Sequence, residues 1–348
     1  MSASTAEAGF AAQDQTKVAG RDLAIDSLRG VAILMVIGIH SLQQPLDSAL
    51  AHAIDAALRP AVPLFLFASG YLTARARHVP LAKRLKSVLI PYTITFAAAY
   101  LYMAVHNPAM DHRPWITLAR YSLGYVFVYY YVPVYIGCTL ALWLILRFHD
   151  RRSQDADGKL CLVLALAIVF GLVAAAYLDP LLARFDVSND QIEEARLRNL
   201  PFWFAFMALG VLAGVLKAER LLGGMVLLLC VCAAAAYTIY AAVRIFSIGD
   251  SAAYDSIALF AYAAPLCLIF LASPLRSPWL GFIGSGSYFI YLWHILVIML
   301  LRDHLNLRET GAVTASIATF VAAAAVTIGT LVIVRSLLPP RAVQALGA

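Results

Sequence analysis

Apolar residues run along this chain in long stretches broken by short polar clusters. The segments 221–243, 256–275, 277–301 and 310–334 contain no Asp, Glu, Lys or Arg. Each is long enough for a helix to cross a hydrocarbon core, which takes about 20 residues. Read end to end, the pattern predicts ten helices, near 24–42, 57–74, 87–105, 121–146, 160–178, 201–216, 222–243, 256–273, 281–301 and 312–335. The second and sixth are short. Because the runs are continuous and do not alternate, they exclude a transmembrane β-barrel. The expected fold is an all-α polytopic membrane bundle of about ten helices, with no tandem repeat.

Composition agrees: 62% of the 348 residues are hydrophobic and 13% charged, against roughly 25% charged in a soluble domain. The net charge of +6 therefore records membrane topology, and no nucleic-acid partner is expected. With the N-terminus inside, 17 of the 26 lysines and arginines fall on the cytoplasmic side, including Lys17, Arg21, Arg75, Arg77, Arg151, Arg152 and Arg335. This bias places both termini in the cytoplasm. Residues 1–20 are small and polar and read as a disordered cytoplasmic tail, 21–340 as the transmembrane domain and 341–348 as a short cytoplasmic tail. A multi-pass protein of the plasma (cell inner) membrane is expected.

Few residues contradict the lipid surroundings, and those few point to chemistry. The first helix carries Asp26, Arg29 and His40. A charged residue within a span costs about 2.5–3.5 kcal/mol on insertion scales, so it usually faces a cavity or partner. Eleven residues at 100° each bring His40 to within about 20° of Arg29, some 16 Å along the axis. Asp26 lies on the same side, at salt-bridge spacing from Arg29. The five cysteines form no CxxC and lie in apolar stretches, as packing residues do; no metal site is expected. Glycines 281, 284 and 286 do not spell a dinucleotide-binding loop, and Gly210 with Gly214 reads as a small-xxx-small helix contact.

Four ordered motifs carry a family resemblance. Ile25-Asp26-Ser27-Leu28-Arg29-Gly30, with ten residues from Arg29 to His40, resembles the first-helix signature of the integral membrane acyltransferase 3 family. Pro63-Leu-Phe-Leu-Phe-Ala-Ser69-Gly70-Tyr71-Leu72 is similar to its second helix. The basic stretch Lys83-Arg84-Leu85-Lys86-Ser87, leading to Pro91-Tyr92, is similar to the start of its third. Gly284-Ser-Gly-Ser287-Tyr288-Phe-Ile-Tyr291-Leu292-Trp293-His294 is similar to its ninth. One departure stands out. The family often has an R-x-x-R pair at the third helix, and here Ser87 occupies the second slot, with Lys86 beside it.

The resemblance implies an O-acyltransferase. An acyl group, usually acetyl, would pass from cytoplasmic acyl-CoA (acetyl-CoA or another) to a hydroxyl of a saccharide or lipid-linked, exported glycan. The run from Tyr129 to Tyr135 resembles the sugar and exopolysaccharide branch. On that reading Arg29, Lys83, Arg84 and Lys86 hold the CoA phosphates and His40 is the general base, with Arg29 and Asp26 beside it in the catalytic group. His294, Tyr291 and Ser287 line the acceptor side. Ser41 adjoins His40 but points about 100° away, which favours direct transfer over an acyl-enzyme. The competing expectation is a polysaccharide exporter or flippase, with Arg29 and His40 lining a transport path.

Overall fold

The computed structural model describes residues 22–125, 128–149, 155–248, 255–273, 276–305 and 307–348. The expected tail 1–20, and with it Lys17, Arg21, Arg151 and Arg152 from the orientation argument, lies outside the described residues. Among the described residues every regular element is helical. The order is α1 (Leu23–Ser41), α2 (Ala49–Leu58), α3 (Ala61–Ala76), α4 (Leu81–His106), α5 (Pro114–Leu123), α6 (Tyr131–Phe148), α7 (Ala156–Ala183) and α8 (Asn189–Leu197). Then follow α9 (Leu200–Val215), α10 (Ala218–Leu221), α11 (Val226–Ile245), α12 (Ile257–Ala272), α13 (Pro278–Ser285), α14 (Ser287–His304), α15 (Ala312–Leu337) and α16 (Pro340–Leu346).

Eight helices among the described residues, counting α2 with α3 and α8 with α9 as single spans, are long and apolar enough to cross a membrane. The chain is thus a multi-pass membrane protein. The two remaining expected spans differ in form. Helix α12 has only 16 residues. The span expected at 281–301 is broken into α13 and α14, which meet at 74°. The span expected at 121–146 is also two elements. Gly124, in the left-handed conformation at φ 65°, ends α5, and α6 begins only at Tyr131. The sequence signal was Gly124 itself, a residue that readily takes the positive φ of a helix C-terminus.

Helix α9 is apolar all round and occupies the centre: its phenylalanines 202, 204 and 206, with Trp203, are buried. Helices α7 and α11 bury only a small share of their residues and sit at the periphery, their apolar faces suited to lipid. Small residues set the closest crossings. A Cβ on Gly70 would lie 2.0 Å from the Met207 carbonyl oxygen, and one on Gly210 would lie 2.1 Å from that of Phe67, so α3 and α9 touch backbone to backbone. Gly214 meets Ala74 in the same seam.

The second such crossing holds the first helix. A Cβ on Gly284 would lie 1.8 Å from the Asp26 carbonyl oxygen, and one on Gly30 would lie 2.2 Å from that of Leu280. Beside it, Ser27 Oγ donates to the Ser277 carbonyl at 3.2 Å and accepts from the Ser277 N–H at 3.1 Å. Helix α13 is thereby pinned across α1, next to Asp26 and Arg29. Gly284→Ala is expected to destabilise the folded protein by about 1–3 kcal/mol, the usual cost of overpacking. Thermal melting of the purified variant checks this, and an unchanged transition would contradict the crossing.

A buried charge cluster ties the other end of the bundle. Asp55, 1% exposed, accepts from Arg59 Nε and Nη2 at 2.8–3.0 Å and from Arg244 Nη2 at 2.7 Å. These bonds join α2, the α2–α3 corner and α11.

Candidate functional site

Between the α13–α14 break and helices α3, α4, α6 and α15 lies a cavity of about 710 Å³. Arg29 of α1 and Arg84 of α4 reach it, and so do Ser69, Ser87, Ser285 and Ser287. Its deeper wall is aromatic, formed by Tyr131, Tyr135, Tyr288 and Tyr291. Arg335 of α15 lines the same cavity, and α16 closes one side through Val343 and Gln344. The stretch 341–348, expected as a tail, is thus mostly a helix and forms part of this wall. No Asp or Glu side chain is among the described residues that line the cavity.

The helical register explains which of the basic residues arrive. Arg84 and Ser87 are three apart and share the inner face of α4 with Val88. Lys83 and Lys86 are exposed on the other face and do not line the cavity. The structure therefore does not bring these two lysines to the site, and Lys86 does not stand in for the second arginine of the R-x-x-R pattern. Arg84 Nη2 donates to Thr73 Oγ1 at 2.6 Å, while its buried Nη1 has no hydrogen-bond partner. Arg29 approaches Asp26 at 3.7 Å. Arg75 pairs with Asp22 at 2.5 Å and Arg77 with Asp157 at 3.7 Å, so these two fasten the helix ends on that side.

Along α1, eleven residues on from Arg29, His40 meets His294 of α14. Their ring centroids are 5.4 Å apart. His294 is fully buried. Its Nδ1 lies 2.7 Å from the Tyr291 carbonyl oxygen and 3.2 Å from that of Ile290. A carbonyl only accepts, so Nδ1 carries the hydrogen and Nε2 is the acceptor. That Nε2 is buried without a hydrogen-bond partner. Arg302 Nη2 donates to the carbonyls of His40 at 2.8 Å and Leu42 at 3.1 Å, satisfying the end of α1 and fixing His40 against α14.

Two residues expected on the acceptor side face the arginine-lined cavity. Ser287 and Tyr291 line the cavity together with Arg29 and Arg84. Ser287 Oγ is buried there without a partner. Tyr291 uses its hydroxyl to donate to the Val128 carbonyl at 2.8 Å and presents its ring. That ring is 5.4 Å from Tyr131 on one side and 6.0 Å from His294 on the other. Tyr291 thus joins the arginine-lined cavity to the histidine pair. Buried polar atoms without partners are rare in folded proteins and call for a reason; Arg84 Nη1, Ser287 Oγ and His294 Nε2 are three of them. Among the described residues no group of three or more His, Cys, Asp and Glu is placed to hold a metal ion.

A family model described as an acyltransferase domain matches residues 22–335. No curated protein and no solved structure matches the chain.

Proposed function

The chain belongs to the acyltransferase 3 family, and from that membership we propose that it moves an acyl group, acetyl in the simplest case, from cytoplasmic acyl-CoA to a hydroxyl of a saccharide or lipid-linked glycan. The orientation that fits has both termini in the cytoplasm and the protein in the plasma (cell inner) membrane. The observation that carries the reading is the layout of α1. Arg29 projects into a large cavity with no carboxylate side chain among the described residues that line it, while His40, on the same helix face, abuts a second imidazole. An anionic donor is held at the first point and a proton is moved at the second.

In this mechanism Arg29 and Arg84 bind phosphate oxygens by charge-assisted hydrogen bonds. Asp26 orients Arg29 from 3.7 Å. The pantetheine arm runs along the tyrosine wall past Tyr131 and Tyr291 towards His40. His40 takes the proton from the acceptor hydroxyl as its oxygen attacks the thioester carbonyl. The new C–O bond forms, the C–S bond breaks, and the imidazolium returns its proton to the departing thiolate. Transfer is direct: Cys138 and Cys267 are buried, and Ser41 Oγ donates to the Ile37 carbonyl at 2.7 Å and faces away from the pair.

Glycans from cells making wild-type protein or His40→Ala at equal membrane abundance test this reading. Ester-selective NMR is expected to find the acyl ester only with wild type, with equal amounts of glycan exported. Unchanged ester content refutes His40 as the base, and glycan retained inside the cells points to transport instead.

A further inference from the structure

The cavity holds a cation that the third-helix motif lacks. Where the family often carries a second arginine three residues after the first, this chain has Ser87, and Ser87 does line the cavity. A serine leaves that wall without charge, and the neighbouring lysines on α4 face out. Arg335, near the end of α15, lines the same cavity from a different wall. Its Nη1 donates to Ser285 Oγ at 3.0 Å, and its guanidinium rests 5.2 Å from the Phe282 ring centroid. Both contacts come from α13, the short helix pinned across α1 beside Arg29. Stacked on an aromatic face and hydrogen-bonded to Ser285, the guanidinium is oriented before any ligand arrives, and so less freedom is lost on binding.

We propose that Arg335 is a phosphate-binding residue of this cavity and supplies from the last long helix the charge that Ser87 has removed from α4. With Arg29 and Arg84 it makes a three-arginine cradle, and among the described residues that line it there is no Asp or Glu side chain. The ligand class is a di- or polyphosphate ester with a long neutral arm: the phosphates lie among the arginines and the arm leads to the tyrosine wall. The inference rests on the acyl-CoA reading above and deepens it, since it places the nucleotide end of the donor between α4 and α15.

The test uses the full-length protein in lipid nanodiscs and two probes, CoA and pantetheine, which share the arm but not the phosphates. Arg335→Gln is expected to weaken CoA binding about tenfold or more, the worth of one charge-assisted hydrogen bond, and to leave pantetheine unaffected. Arg335→Lys, which keeps the charge but loses the fork, is expected to fall between the two. Adding Ser87→Arg to Arg335→Gln is expected to restore most of the CoA affinity, which a merely structural role for Arg335 would not allow. Equal CoA affinity in wild type and both Arg335 variants overturns the proposal. So does a parallel loss of CoA and pantetheine binding, or wild-type protein that binds the two probes equally. Wild-type protein that binds neither probe overturns the acyl-CoA reading itself, and this inference falls with it.

Discussion

Replacing His294 with alanine is expected to slow acyl transfer about 10²-fold or more, within the range that one general acid–base group contributes. Its Nδ1 is committed to the Tyr291 carbonyl and its Nε2 is a buried acceptor without a partner beside His40. With His40 as the proposed base, such a ring would hold the proton taken from the acceptor or keep His40 in the tautomer that accepts it. Two groups acting on one proton form a unit, and units are non-additive. His40→Ala and His294→Ala should therefore each be severe, and the double variant should fall little below the worse single one. Initial rates with labelled acyl-CoA, on membranes of matched protein content, make the comparison. Multiplicative losses would mean that the rings act separately, and a normal rate in His294→Ala would remove it from the chemistry.

The second large effect concerns stability. Asp55→Ala leaves two arginines, Arg59 and Arg244, without the buried carboxylate that both share. Breaking a buried ion pair from one side typically costs about 3–5 kcal/mol, much of it the uncompensated charge left behind. The variant is expected to melt far below wild type in the same detergent. Adding Arg59→Met and Arg244→Met is expected to recover much of the loss, because apolar replacement of a whole buried ion group is often neutral. An Asp55→Ala protein that melts like wild type would show that the cluster contributes little.

Most of the membrane architecture was legible because a span announces itself by length and lack of charge. What the pattern hid were breaks inside apolar runs. The stretch 281–301 reads as one helix, yet the chain turns by 74° at Gly286, where Ser285 and Ser287 face a cavity. Hydropathy cannot register that turn, because the residues on both sides remain apolar. Within the candidate site, Arg29, Arg84 and the shared face of Arg29 and His40 follow from helical spacing and motif order, whereas the meeting of His40 with His294 depends on how α14 packs against α1. The outward turn of Lys83 and Lys86 does not follow either, since a run of basic residues gives charge without face; the register of α4 turns Arg84 inward and both lysines outward. From the sequence Arg335 reads as one more topological charge. Its place on the cavity wall depends on how α15 packs against the α13–α14 corner, a contact between segments 50 residues apart in sequence. Tyr131 and Tyr135 were visible as a tyrosine-rich run, but nothing in the run itself said which rings face inward.

The backbone clamp of α13 on α1 has a further consequence. Helix α1 is continuous from Leu23 to Ser41, and Gly30 against Leu280, with Gly284 against Asp26, leaves it no room to slide. The distance from Arg29 to His40, about 16 Å along the axis, is therefore a fixed gauge. On the acyl-CoA reading proposed above, a donor would be measured against it from its phosphates to its thioester, so thioesters on truncated arms, with no anchor at the arginine end, are expected to be poor donors even when they carry the correct acyl group.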